Sequence, residues 1–277
     1  MRARGFAMTT TAAVLAVSTA ACGDLGDALD AHAYDCEVVV EDESVDLNSE
    51  QAANAATIAA VGLRRDVPEY GIVVALATAQ QESKLSNIDH GDRDSVGLFQ
   101  QRPSQGWGTA EEIKDPQYAA TKFYERLEDV EGWEDMRVTD AAQEVQQSAY
   151  PEEYEKWADD SEIMTEAFTG NVDSALSCRA EADDAESYSV AQLSEALLHD
   201  WGEETIYSET DVELSVPVNT TQDGWQYASW LVAHAGGHGV STVYYDGLAW
   251  DSDEGAWAES AKSTDTDYVV ARIAAGE

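Results

Sequence analysis

Between Tyr70 and Glu82 the chain carries Ile72, Val73, Val74, Ala75, Leu76, Ala77 and Ala79, which leave no polar face on a helix. A helix apolar all round belongs in a core. On either side the pattern becomes amphipathic. A helix is predicted from Ser49 through Leu63, with Glu50 in its first turn and Arg64 and Arg65 where the helix dipole favours cations. Pro68 then breaks the chain. Ser86 to Ser95 is polar and turn-rich. Asp115-Pro116 supplies a cap and a first-turn proline for a helix to Leu127, burying Tyr118, Phe123 and Leu127. Thr139 opens another helix through Val145. Pro151 opens a third, which ends at Gly170. Ser49 to Gly170 therefore reads as nearly all helix around one buried helix.

The pattern changes beyond an acidic linker at 179–189. Val190 to Leu198 reads as a short helix and Val212 to Val216 alternates as a strand. Gly224 to Ala235 reads as a helix. Val240–Tyr245, Leu248–Trp250 and Tyr268–Ile273 read as strands, the first two joined at Asp246-Gly247. The expected fold class is α+β, with a mostly helical domain (48–178) followed by a small α+β domain (190–277).

Glu82 is the most informative single residue. A carboxylate at the C-terminal end of a core helix meets the negative end of the dipole and partial desolvation, and both disfavour ionisation. A raised pKa is what a general acid at neutral pH requires. The plain alternative is a solvated Glu just past a core helix.

Charge excludes several classes of partner. The 277 residues hold 55 acidic against 15 basic side chains, a formal net charge of -40. Phosphate binding needs Lys and Arg, so nucleic acid is not an expected partner. The acidity runs along the whole chain, which suggests a salt-adapted surface whose self-repulsion needs screening. The melting temperature should then rise between dilute buffer and molar salt. A melt no lower in dilute buffer would refute this.

The N-terminus reads as an export signal (1–22). Arg2 and Arg4 precede an apolar run from Phe6 to Val17, and Thr19-Ala20-Ala21 precedes Cys22. The small residues before Cys22 suggest lipidation there, with Thr19 where a lipobox usually has Leu. Plain secretion is the alternative. The chain is expected outside the cytoplasm, anchored to the membrane through Cys22 if lipidated. Residues 23–47 read as an acidic tether, ordered at most around Cys36 to Val40. In an oxidising compartment Cys36 and Cys178 are expected to pair.

Glu82-Ser83 closes the buried helix, and Gly97-Leu98-Phe99-Gln100 begins fifteen residues after Glu82. Ala149-Tyr150-Pro151 comes later. With these motifs the stretch from Ser49 to Gly170 resembles the lysozyme-like domain of soluble lytic transglycosylases, as found in actinobacterial exported and lipoprotein chains. The family motifs are Glu-Ser, Gly-Leu-Met-Gln and Ala-Tyr-Asn, so Phe99 replaces Met and Pro151 replaces Asn. The resemblance implies cleavage of peptidoglycan glycan strands without cofactor, to a 1,6-anhydromuramic acid end, with Glu82 as acid and then base. It implies that Gln100 lines the sugar groove and that the third-motif Tyr hydrogen-bonds near Glu82. That Tyr is Tyr150 by position, with Tyr154 as second candidate.

Other residues leave alternatives open. Ser83 either orients Glu82 or caps the helix. Asp89, Asp92 or Asp94 would activate water in an inverting muramidase, or is a turn residue. Trp107, in a polar loop, could stack on a sugar ring, and His90 reads as a surface residue. His234 and His238 are four apart, but Gly236-Gly237 interrupts their helix and no third ligand follows, so no metal site is expected. A non-catalytic lipoprotein that grips glycan or a partner is the rival from another class.

Overall fold

The computed structural model describes residues 35–180, 188–203, 205, 207–262 and 266–274. Cys22, the export signal and most of the 179–189 linker lie outside the described residues. The described residues form a single compact unit.

The described chain opens with a hairpin, β1 (Cys36–Val40) and β2 (Glu43–Leu47). The tether expected over 23–47 is thus ordered from Cys36 onward, through both strands. Val38, Val45 and Leu47 point inward while their neighbours face solvent, the alternation of a half-buried strand. Helix α1 (Ser49–Arg64) follows, started by a capping box between Asn48 and Gln51. Helix α2 (Glu69–Ser83) is buried from Gly71 through Ala79. Next come α3 (Ala110–Ile113), α4 (Pro116–Glu128, capped by Asp115), α5 (Val138–Gln146) and α6 (Ala158–Phe168). Helices α1, α4, α5 and α6 all pack on α2, which is why α2 has no polar face.

The helix expected from Pro151 starts only at Ala158. Pro151–Glu153 and Glu155–Trp157 are single 3-10 turns. The side chains of this stretch are drawn to the end of α2: Tyr154 bonds Glu82, and the Trp157 indole donates to Gln81 at 2.9 Å. A continuous helix from Pro151 would turn them elsewhere.

Strand β3 (Leu176–Cys178) returns to pair antiparallel with β1, placing Cys178 opposite Cys36. The two are disulfide-bonded and each is 3% exposed. A buried disulfide fits an oxidising, extracytoplasmic environment.

The second part comprises α7 (Val190–Trp201), β4 (Ser208–Glu209), β5 (Glu213–Pro217), α8 (Thr221–Ala233), α9 (Ala235–His238), β6 (Val240–Tyr245), β7 (Leu248–Asp251), β8 (Ala256–Glu259) and β9 (Tyr268–Ile273). Its strands form one antiparallel sheet in the order β4-β5-β9-β6-β7-β8. Asp246 and Gly247 both have positive φ, as a two-residue hairpin turn between β6 and β7 requires. A mostly helical region followed by a small sheet region is therefore the architecture.

One hydrophobic core runs through both regions. Helix α8 packs on α1, and buried Asp200 ties the seam by accepting from Thr57 at 2.7 Å and from the Trp230 indole at 2.9 Å. His234 stacks on Trp230 beside Asp200, and burial holds its pKa below the ordinary histidine value. Among the described residues no group of three His, Cys, Asp or Glu side chains could hold a metal ion. No helix there is long and apolar enough to cross a membrane.

Candidate active site

Glu82 occupies the last turn of α2, where the core ends. The chain leaves the helix through Lys84 and Leu85, both left-handed at φ 57° and 58°. Helix α1 holds this turn: Gln51 donates to the Lys84 carbonyl at 2.9 Å, and Asn54 to the Leu85 carbonyl at 2.7 Å. The carboxylate is thus fixed by its neighbours as well as by its own helix.

Two side chains meet the Glu82 carboxyl. The Tyr154 hydroxyl donates to Oε1 at 2.6 Å, and the Gln146 carboxamide is near enough to favour the ionised carboxylate as well. Burial raises the Glu82 pKa, and Tyr154 and Gln146 oppose that rise by favouring the ionised form. Burial and the adjacent carboxylate also raise the pKa of the Tyr154 hydroxyl. That hydroxyl is therefore a donor and not a base at neutral pH.

Removing the Tyr154 hydrogen bond takes away a group that favours ionised Glu82. In Tyr154→Phe the Glu82 pKa should move further up. Titration of the Glu82 carboxyl by NMR checks this, and a downward move would contradict the assignment.

The 97–100 turn packs directly behind Glu82. The Ser83 hydroxyl donates to the Leu98 carbonyl at 2.7 Å, and Gln146 Nε2 donates to the Phe99 carbonyl at 2.8 Å. Gly97 has φ 78°, and an added Cβ would lie 2.6 Å from the Ile113 carbonyl oxygen, so this position needs glycine. Leu98 and Phe99 are fully buried, and Phe99 stacks on Phe123 with centroids 4.7 Å apart. Phenylalanine at this motif position is thus accommodated by a core partner. Gln100 folds back toward its own loop, with Nε2 3.3 Å from the Gly97 carbonyl and 3.5 Å from that of His90.

Some expectations need correction. Tyr150 is 72% exposed, and Tyr154 takes the place expected of it. Pro151 starts a 3-10 turn that leaves Tyr150 outside and brings Tyr154 in. Trp107 is not an exposed platform. It is 4% exposed, and the Arg126 guanidinium covers its ring at 3.4 Å. Ser83 joins α2 to the 97–100 turn, so its hydroxyl is committed to the backbone. Asp94 clasps its own loop, accepting from the Ser104 amide at 2.8 Å and from Arg102 Nε at 3.0 Å. These bonds hold its pKa at about 2. Asp92 is 92% exposed beside Arg93, and Asp89 is 78% exposed beside His90, itself exposed. Among the described residues none of the three acids hydrogen-bonds to Glu82, Tyr154 or Gln146.

Gln146, Gln81 and Trp157 escaped the sequence reading. The signal for Gln146 was faint. It follows Val145 at the border of the apolar face formed by Val138, Ala141, Ala142 and Val145.

A cavity of about 280 Å³ opens beside the cluster, lined by Gln105, Trp107, Arg126, Val145, Gln146 and Gln147. Gln146 is common to the cavity wall and the Glu82 cluster. Comparison with protein-family models and with curated protein sequences gave no match.

Proposed function

We propose that this protein is an exported peptidoglycan-cleaving enzyme of the lytic transglycosylase type, with a lysozyme-like helical region. The observation that carries the reading is Glu82, desolvated at the end of a core helix and held by Tyr154 and Gln146. A protonated Glu82 gives its proton to the glycosidic oxygen as the bond from that oxygen to the anomeric carbon breaks. The 6-hydroxyl of the same N-acetylmuramic acid then attacks the anomeric carbon. Its proton passes to the ionised Glu82, and a 1,6-anhydro end results. This sequence needs one carboxyl group, which suits a site where, among the described residues, Glu82 has a hydroxyl and an amide neighbour and no acidic hydrogen-bond partner. Lipid on Cys22 would hold the enzyme at the membrane, facing the wall.

Release of soluble fragments from purified sacculi, followed against pH in high salt, tests the reading. The first step needs protonated Glu82, so the rate should fall as pH rises through a value above that of an ordinary glutamate. Tyr154→Phe should carry that limb to still higher pH. A rate independent of pH across this range would count against Glu82 as the acid.

A further inference from the structure

The cavity beside Glu82 has an unusual charge for this chain. The chain has 55 acidic residues against 15 basic ones, and among the described residues seven Lys and Arg side chains pair with a carboxylate. Arg65 pairs with Glu128, Arg102 with Asp94, Lys122 with Glu125 and Arg137 with Asp140. Arg126 differs. Among the described residues no carboxylate lies within salt-bridge distance of it. Its guanidinium lies flat over Trp107 at 3.4 Å, and one nitrogen donates to the Gln105 carbonyl at 3.3 Å. Among the described residues its remaining N–H donors have no acceptor. Burial alone perturbs this guanidinium, and no neighbouring acid offsets it.

The rest of the lining is neutral. Gln105, Gln146 and Gln147 bring carboxamides, and Trp107 and Val145 bring apolar wall. For a half-buried cation without a counter-ion, stacking on Trp107 and one hydrogen bond offset part of the lost hydration, and no charge partner supplies the rest. A ligand carboxylate would supply it, because a planar guanidinium stacked on an aromatic ring still presents its edge for paired hydrogen bonds. Carboxamides suit the amide groups of a peptide better than they suit another charge. The volume of about 280 Å³ has room for a small ligand or part of a short peptide.

We propose that the Arg126–Trp107 cavity is a subsite for the acidic peptide stem of the glycan cleaved at Glu82, with Arg126 pairing with a stem carboxylate. This rests on the peptidoglycan reading above. Gln146 joins the two, since it lies beside Glu82, where it favours the ionised carboxylate, and also lines the cavity. A chain of net charge -40 repels anionic ligands at long range, so an acidic stem needs a local cation of this kind.

The test separates binding from cleavage. The full chain is titrated with a synthetic stem tripeptide carrying free carboxylates, and with the same peptide fully amidated, at one salt concentration. Binding is read from the Trp107 indole resonance, assigned with Trp107→Phe. The free-acid peptide should bind at least about tenfold more tightly than the amidated one, the discrimination expected of a charge-assisted pair. Arg126→Gln should remove that preference. Arg126→Lys, which keeps the charge and loses the fork, should retain part of it, and a thermal melt of each variant checks folding. Equal affinity for the two peptides in the wild type, a preference that survives Arg126→Gln, or no shift of the Trp107 resonance would each overturn the subsite. Peptide discrimination without any release from sacculi would leave the subsite standing and remove the enzyme reading. Release without discrimination would do the reverse.

Discussion

Glu82→Gln should lower release of glycan fragments by about 10²–10⁴-fold, the range for loss of a general acid–base, and should leave the protein folded. Glutamine keeps the shape and still accepts from the Tyr154 hydroxyl, but has no proton to give. The effect on stability has a definite sign. The folded-state pKa of Glu82 is raised by burial, so the folded protein binds this proton more tightly than the unfolded chain. The stabilisation is fully present below the unfolded value of about 4.5 and is lost as pH rises through the folded value. Wherever Glu82 is ionised, its partial desolvation is a cost that the variant lacks. The Glu82→Gln melting temperature should therefore equal or exceed that of wild type at pH 7, and the gain should shrink toward pH 4. Thermal melts at both values check it. An inactive variant that also melts well below wild type would mean that Glu82 is structural.

Loss of the Cys36–Cys178 bridge should be the largest single blow to stability. The two residues are 142 apart in sequence. Between them lie α1 to α6, hence the whole Glu82 cluster. Cross-links closing long loops contribute about 2–5 kcal/mol. The bridge also pins β3 beneath the second region, where the indoles of Trp250 and Trp257 donate to the Cys178 and Leu176 carbonyls at 3.0 and 2.8 Å. A Cys36→Ser/Cys178→Ser chain should melt far below the oxidised protein. It should still cleave at low temperature, because α1, α4, α5 and α6 hold α2 without help from the bridge. A melt unchanged by the double substitution would show that the bridge does not form or does not matter.

How legible these features were depends on whether local sequence or distant contacts decide them. Helix α2 was plain because seven apolar residues on every face allow only a core position. The starts of α1 and α4 were readable because Glu50 and Asp115-Pro116 act within one turn. The β6–β7 turn was readable for the same reason, at Asp246-Gly247. Tyr154 was harder. Tyr150 holds the motif position, and only the 3-10 turn at Pro151 decides which ring reaches Glu82. Trp107 looked exposed because its loop is polar, while its cover, Arg126, comes from a helix that begins nine residues later. Strand β3 has three residues, too few for any pattern, and exists through its pairing with β1. The cavity combines α4, α5 and the loop at 105–107, so no single segment carried its signature.

The most direct test of the central claim is the mass of the product. Purified sacculi are incubated with the mature protein in high salt, with Glu82→Gln in parallel, and the soluble fragments are weighed by mass spectrometry. Anhydro-muropeptides, lighter by one water than the hydrolysed form, should arise with wild type only. Reducing-end products would make the enzyme a hydrolase and require a second carboxylate beside the substrate. No soluble fragments from wild type at any salt or pH would contradict the claim that Glu82 cleaves glycan.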